Sequence, residues 1–159
     1  MMNVDLFGSN GGCMLLTVTC AVVLEQDDHL LLVQESAAEI YGKWNQPSGH
    51  WEPSETLLDC AVREAREESG YPVELTGLQA IYTTADAHRQ RVNFCFRARP
   101  CGDPRPIDPA EILATRWFSK DELRQFPDAQ LRHPLARLRI EDWLAGKSAP
   151  MQVIRPWGL

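Results

Sequence analysis

Glu64, Glu67 and Glu68 stand at i, i+3 and i+4. On a helix that spacing gathers three carboxylates on one face within a turn of each other. Like charges this close destabilise the fold unless a cation lies among them. A hard divalent ion such as Mg²⁺ accepts oxygen donors of this kind and retains places for a phosphate substrate. Arg63, four residues before Glu67, can brace one carboxylate while a metal takes the others. On a generic Glu-rich helix the same spacing describes only a solvated face laced with i,i+4 pairs, so the flanking residues decide.

The flanks run from Gly49 to Tyr71 and read as a loop entering one helix. Ser54 is the predicted N-cap with Pro53 just outside it, and Glu55 then falls in the first turn, where its charge meets the positive end of the helix dipole. Gly70 supplies the left-handed residue that ends the helix, and Pro72 blocks continuation. Leu57, Leu58, Ala61, Val62 and Ala65 form the apolar stripe that must face a core. The order is Gly49, five residues, Glu55, seven residues, Arg63-Glu64, two residues, Glu67-Glu68, one residue, Gly70. It resembles the signature box of the Nudix hydrolases, which cleave nucleoside diphosphates linked to some other moiety. The two aliphatic positions of that box hold Ala65 and Tyr71, a departure at places that carry no chemistry.

The resemblance implies a fold class and a site. The fold is α/β, an α/β/α sandwich with a mixed β-sheet. The metal is Mg²⁺, with Mn²⁺ as a substitute, held by the Gly49 carbonyl, Glu64, Glu67 and Glu68. Glu64, Arg63, Glu67 and Glu68 are the implied catalytic set, with Glu55 and Gly70 in support. Glu64, between Arg63 and the metal cluster, is expected to be ionised at neutral pH and to take a proton from the attacking water.

The elements that must position this set follow from local pattern. Residues 1 to 12, rich in Gly, Ser and Asn, read as a flexible leader. Leu15 to Leu24 is a β-branched strand, Gln26-Asp27-Asp28 a turn, and His29 to Gln34 a returning strand. Glu35 to Gly42 is a polar loop, and Pro47 keeps the approach to Gly49 extended. After the helix, Val73 to Thr84 is extended and residues 86 to 91 form a charged loop. Val92 to Arg99 alternates as a half-buried strand. Residues 100 to 109 are a Pro-rich loop, Ile112 to Phe118 a strand, and Ser119 caps a short helix. Pro134 to Ala145 reads as a helix with Leu135, Leu138 and Trp143 inward, closed by Gly146. The domain therefore spans 13 to 147, and 148 to 159 is a tail.

Composition narrows the function classes. The chain of 159 residues holds one comfortable domain. Its net charge of −6 and lack of a basic block argue against long nucleic acid. The five cysteines lack a C-x-x-C pair, which fits neither a zinc site nor a disulfide scaffold and suits a reducing cytoplasm. The apolar run from Met14 to Leu24 is too short to span a bilayer. The expected partner is a small phosphorylated substrate, a nucleotide or a pyrimidine pyrophosphate, in a cytoplasmic monomer or homodimer with no membrane attachment.

Segments outside the box, Thr17 to Val23, Trp44 to His50, Arg116 to Ser119 and Leu131 to Leu135, are similar to the NudJ-type phosphatases. That implies an unselective phosphatase of nucleoside di- and triphosphates that also takes hydroxymethylpyrimidine pyrophosphate. A MutT-like sanitising pyrophosphatase for oxidised nucleotides is the alternative, and a non-catalytic nucleotide-binding module is a third reading, opposed by the intact Arg63 to Glu68 core. Substrate-contact candidates are His50 beside the metal glycine, Arg89 and Arg91 in the charged loop, Phe94 as a stacking ring, and Glu111 as an added carboxylate. Against each stands an ordinary role on the surface or in the core.

Overall fold

The computed structural model describes residues 4–7, 13–86 and 88–156. Its frame is one long strand, β2 (Cys13–Gln26), whose β-branched run spans both halves of the sheet. Within the stretch expected as a leader, Val4–Phe7 forms strand β1, antiparallel to β2 from Val4 opposite Leu16 to Phe7 opposite Cys13. The flexible-leader expectation is corrected there, and residues 1–3 and 8–12 lie outside the described residues. Asp27 and Asp28, at φ 49° and 61°, make a two-residue turn into β3 (His29–Glu35). Such a turn matches strand twist, and Asp tolerates the left-handed region.

The remaining elements are β4 (Trp44–Asn45), β5 (Ser48–His50), α1 (Leu57–Ser69), β6 (Val73–Ala85), β7 (Arg89–Pro100), β8 (Ile112–Ser119), α2 (Lys120–Arg124) and α3 (Pro134–Leu144). The sheet runs β4-β3-β2-β7-β6, with β1 and β5 also on β2 and β8 on β3. β2 and β7 are parallel while the other named strand pairs are antiparallel, so the sheet is mixed. Ser119 caps α2 as expected, its hydroxyl accepting from the Glu122 N–H while the Glu122 carboxylate accepts the Ser119 N–H.

Alternate residues of β2 enter two cores. Cys20, Val22 and Leu24 pack with Cys60, Ala61 and Ala65 of α1, whereas Ala21 and Val23 pack with Ala136, Ile140 and Trp143 of α3. This is the α/β/α sandwich. Because α3 covers the second face, β7 is buried on both sides, with Phe96 under α1 and Cys95 and Asn93 buried opposite. The half-buried expectation for this strand is therefore corrected. In α3, Trp143 faces inward as predicted, but Leu138 is 43% exposed and Ala136, Ile140 and the charged Arg139 take the inner face. The tail is also docked: Leu78 and Ala149 exchange backbone hydrogen bonds, and Met151 and Ile154 pack on the α1-side core. Residues 157–159 lie outside the described residues. Among the described residues no helix is long and apolar enough to cross a membrane.

Candidate active site

The loop before α1 is closed by side chains. Glu55 accepts the Glu52 N–H at 2.9 Å, and its carbonyl accepts the Trp51 indole at 2.8 Å. Glu55 therefore precedes the helix, and the cap falls on Thr56, in place of the expected Ser54. Thr56 Oγ1 accepts from the Asp59 N–H at 3.1 Å and the Asp59 carboxylate accepts the Thr56 N–H at 3.0 Å. Ser54 sits at φ 69° in the preceding turn. Gly70 ends the helix at φ 79°, as the sequence implies.

Arg63 organises the acidic face. Its Nε and Nη2 donate to the two oxygens of Glu55 at 3.0 and 2.7 Å, Nη1 donates to Glu64 at 2.7 Å and Glu67 at 3.3 Å, and Nη2 also reaches the His50 carbonyl at 3.0 Å. Glu64 is buried, and a Cβ on Gly49 would overlap its carboxylate, so any larger residue there would displace Glu64. Glu68 accepts the Ser48 N–H at 2.8 Å. Glu67 is the exposed member of the three. The carboxylates of the helix thus lie directly against the Ser48–Gly49 backbone.

The carboxyl groups of the cluster sit in unlike surroundings. Burial raises the Glu64 carboxyl above its usual range, outweighing the opposing pull of Arg63, with Glu67 and Glu55 adding to the rise. Of the two cationic neighbours expected to hold it ionised, Arg63 is in place and pulls the carboxyl downward against that burial. Glu68 is pushed up to about 8, chiefly by burial, against the Ser48 N–H, with Glu35 and Glu64 as like charges. Glu55 is lowered by its Arg63 hydrogen bonds.

Carboxylates and a backbone carbonyl are hard oxygen donors of the kind that suit Mg²⁺ or Mn²⁺. The close seat of Glu64 on Gly49 puts a carboxylate and that carbonyl's residue together. With Arg63 bridging Glu64 and Glu67, no three acidic, His or Cys side chains among the described residues converge on one point. The chemistry of the donors, three carboxylates and a backbone carbonyl, suits such an ion.

Glu35, Asn45, Ser48 and Arg132 also belong here and were missed. Glu35 is buried at the end of β3, accepting from Arg132 at 2.8 Å and from Asn45 at 3.3 Å. Leu31, Val33 and Glu35 alternate onto the α1 side, and a carboxylate ending that buried series was a legible signal. The outer candidates scatter. The His50 side chain is exposed, and only its carbonyl meets Arg63. Arg89 and Arg91 lie on β7, beside Leu15 and Thr17 of β2, not in a loop. Phe94 packs against the core beneath α1. Glu111 is exposed in the turn before β8, its carbonyl accepting the Ser36 N–H at 3.3 Å. Beside Arg132 opens a groove of about 420 Å³ lined in part by Lys43, His133 and Arg137.

A mixed sheet between helices, with a glycine loop closed over a glutamate-rich helix, is the arrangement that the comparisons with known proteins place in a family. The family model for the NUDIX domain matches residues 14–138. Phosphatase NudJ of Escherichia coli K12 is 32% identical over 142 residues, 86% of this chain and 89% of that protein. The human 8-oxo-dGDP phosphatase NUDT18 is 34% identical over 110 residues, 67% of this chain but only 33% of the human protein. A NUDIX hydrolase from Nitrosomonas europaea superposes with a TM-score of 0.79 at 37% identity, covering 89% of this chain and 97% of that one. The chain belongs to the Nudix family, and it is a Nudix hydrolase of the pyrophosphatase kind.

Proposed function

We propose that this enzyme hydrolyses phosphoanhydride bonds of nucleoside di- and triphosphates, with hydroxymethylpyrimidine pyrophosphate as a further substrate, using Mg²⁺ held by the Gly49 carbonyl, Glu64, Glu67 and Glu68. The observation that carries this reading is the seating of Glu64 on Gly49 and of Glu68 on the Ser48 N–H. A bound divalent ion supplies neutralisation of phosphate charge and makes the phosphorus electrophilic. The chain's own residues do the rest. Arg63 sets the rotamers of Glu55 and Glu64, and a carboxylate of the cluster takes the proton as water oxygen bonds to phosphorus and the bridging P–O bond breaks. Arg132, whose charge reaches Glu68 and which pairs with Glu35, adds a cation near the cluster for an anionic substrate.

A second reading has one specific support, the likeness to a protein named an 8-oxo-dGDP phosphatase. On it, the chain removes oxidised nucleotides. A Mg²⁺-dependent screen of normal and oxidised nucleoside di- and triphosphates and the thiamin precursor, with the released phosphate or pyrophosphate identified, tests both. No turnover of any of these with Mg²⁺ present would refute the hydrolase reading of the site and leave a nucleotide-binding module.

A further inference from the structure

We propose that Arg139, far from the box in sequence, is a positioning residue for the candidate active site. It fixes the amide orientation of Asn45 and Gln46 and through them the Ser48–Gly49 backbone. The inference rests on the reading of that site as metal-binding.

Arg139 is 2% exposed, and among the described residues no carboxylate lies within ion-pair distance of it. Its Nε has no hydrogen-bond partner, and burial lowers its pKa. An arginine nevertheless stays protonated in a protein. A buried charge without a counter-ion is costly, and an apolar side chain of similar volume would serve stability better. Such a group calls for a role in what it touches.

What it touches is a pair of amides. Nη1 donates to Asn45 Oδ1 and to Gln46 Oε1, each at 3.4 Å. A guanidinium has donors only, so both amides must turn their oxygens toward it and their NH₂ groups away. The Asn45 NH₂ then donates to Ser48 Oγ at 3.1 Å and to Glu35 at 3.3 Å, and the Gln46 NH₂ donates to the Ala136 carbonyl at 3.1 Å. Pro47 is tied between them through its carbonyl to the Val22 N–H at 2.9 Å. The segment so held presents the Ser48 N–H to Glu68 and the bare face of Gly49 to Glu64. With Arg139 removed, both amide oxygens lose their donor, and the Asn45–Gln46 segment is held from the NH₂ side alone.

Arg139→Met keeps length and removes the donors, and Arg139→Lys keeps a cation. The readouts are Mn²⁺ affinity without substrate, by electron paramagnetic resonance, and kcat and KM for a nucleoside diphosphate at saturating Mg²⁺. Arg139→Met is expected to weaken Mn²⁺ binding about 10-fold and to lower kcat about 10- to 100-fold with KM nearly unchanged, as displacement of a site by a fraction of a bond length does. Arg139→Lys should recover part of both. Asn45→Ala breaks the same link from the other end and serves if Arg139→Met fails to fold. It should reproduce the losses, and the double variant should be no worse than either single one. Wild-type Mn²⁺ affinity and kcat in Arg139→Met or Asn45→Ala, with only the melting temperature moved, would overturn the proposal. Additive losses in the double variant would overturn it equally. Wild-type protein that binds no Mn²⁺ would instead remove the metal reading on which it rests.

Discussion

Arg63 grips Glu55 by both of its carboxylate oxygens, Nε to Oε2 at 3.0 Å and Nη2 to Oε1 at 2.7 Å. Glu55 lies outside the acidic face of α1, so it anchors the arginine that the catalytic carboxylates share. Glu55→Gln keeps the shape and removes the charge, leaving Arg63 to bind Glu64 and Glu67 more tightly and to compete with a cation. The expected result is a fall in kcat of about 10- to 100-fold with a higher Mg²⁺ requirement. Acid stability should change as well. The Glu55 pKa is depressed in the folded state, so its contribution is complete above the unfolded carboxylate value and is lost as pH falls through the folded one. Melting temperatures taken from pH 7 down to pH 3 should fall less steeply for Glu55→Gln than for wild type.

Glu68 should show activity and stability pulling in opposite directions. Its folded pKa of about 8 lies above the unfolded value, so the folded apoprotein holds the proton more tightly and loses stability as pH rises between them. Glu68→Gln is neutral throughout and can still accept the Ser48 N–H. In metal-free buffer at pH 9 it should melt a few degrees above wild type, by about 2–8 °C. With Mg²⁺ it should lose several orders of magnitude in kcat, because a site oxygen with full charge is gone. EDTA should abolish wild-type turnover. A Glu68→Gln enzyme of near-normal rate would remove this carboxylate from the metal set.

Substrate breadth separates the two functional readings. If the cation and arginines hold mainly the phosphates, several bases should be accepted with kcat/KM values within about 10-fold of each other, since few buried polar groups then penalise a wrong base. A diphosphate should be turned over as readily as a triphosphate. Competition assays pairing 8-oxo-dGDP with unmodified nucleotides decide it. A preference of 100-fold or more for the oxidised base, beyond what a loosely held base allows, would favour the sanitising reading.

The cap offers a prediction free of catalysis. Thr56→Ala deletes a hydroxyl that satisfies the Asp59 N–H and should lower stability by about 1 kcal/mol. Ser54 caps nothing and is held at φ 69°, so Ser54→Gly should be neutral or stabilising, by up to about 1 kcal/mol. Urea unfolding of the two variants checks both signs.

The box was legible because its chemistry demands particular residues at helical spacing, and the strands because β2 and β3 are long runs of apolar and β-branched residues. What was not legible depended on partners remote in the chain. Arg132 reaches Glu35 across 97 residues and Arg139 reaches Asn45 across 94, and no local pattern encodes either. Ser54 was the expected cap, but the Glu55 side chain folds back on Glu52 and the helix begins after Thr56. Leu138 looked like core by composition, yet the inner face of α3 went to Arg139, whose amide partners lie on the site loop. The docking of the tail, likewise, follows from the free edge of β6 that Ala149 covers at Leu78.

Glu64 carries the most exposed assignment, that of proton acceptor. It is buried under Gly49, touches Arg63 at 2.7 Å, and has its pKa raised by that burial. A carboxyl with a raised pKa is a better base than an ordinary one and is brought to charge when a cation joins Arg63 beside it. Glu67 is exposed, and Glu68, whose carboxyl burial also raises, has an oxygen committed to the Ser48 N–H, which leaves Glu64 as the sheltered carboxylate that accepts from no backbone N–H. As proton acceptor, Glu64 must be ionised, so wild-type kcat should fall on the acidic side with a single-proton slope. Glu64→Gln at saturating Mg²⁺, with Mn²⁺ affinity measured separately, should lose about 10²- to 10⁴-fold in kcat. That acidic limb should vanish while metal still binds. If raising the metal concentration returns wild-type kcat to Glu64→Gln, the residue is a ligand only, and the proton leaves by way of another carboxylate or solvent.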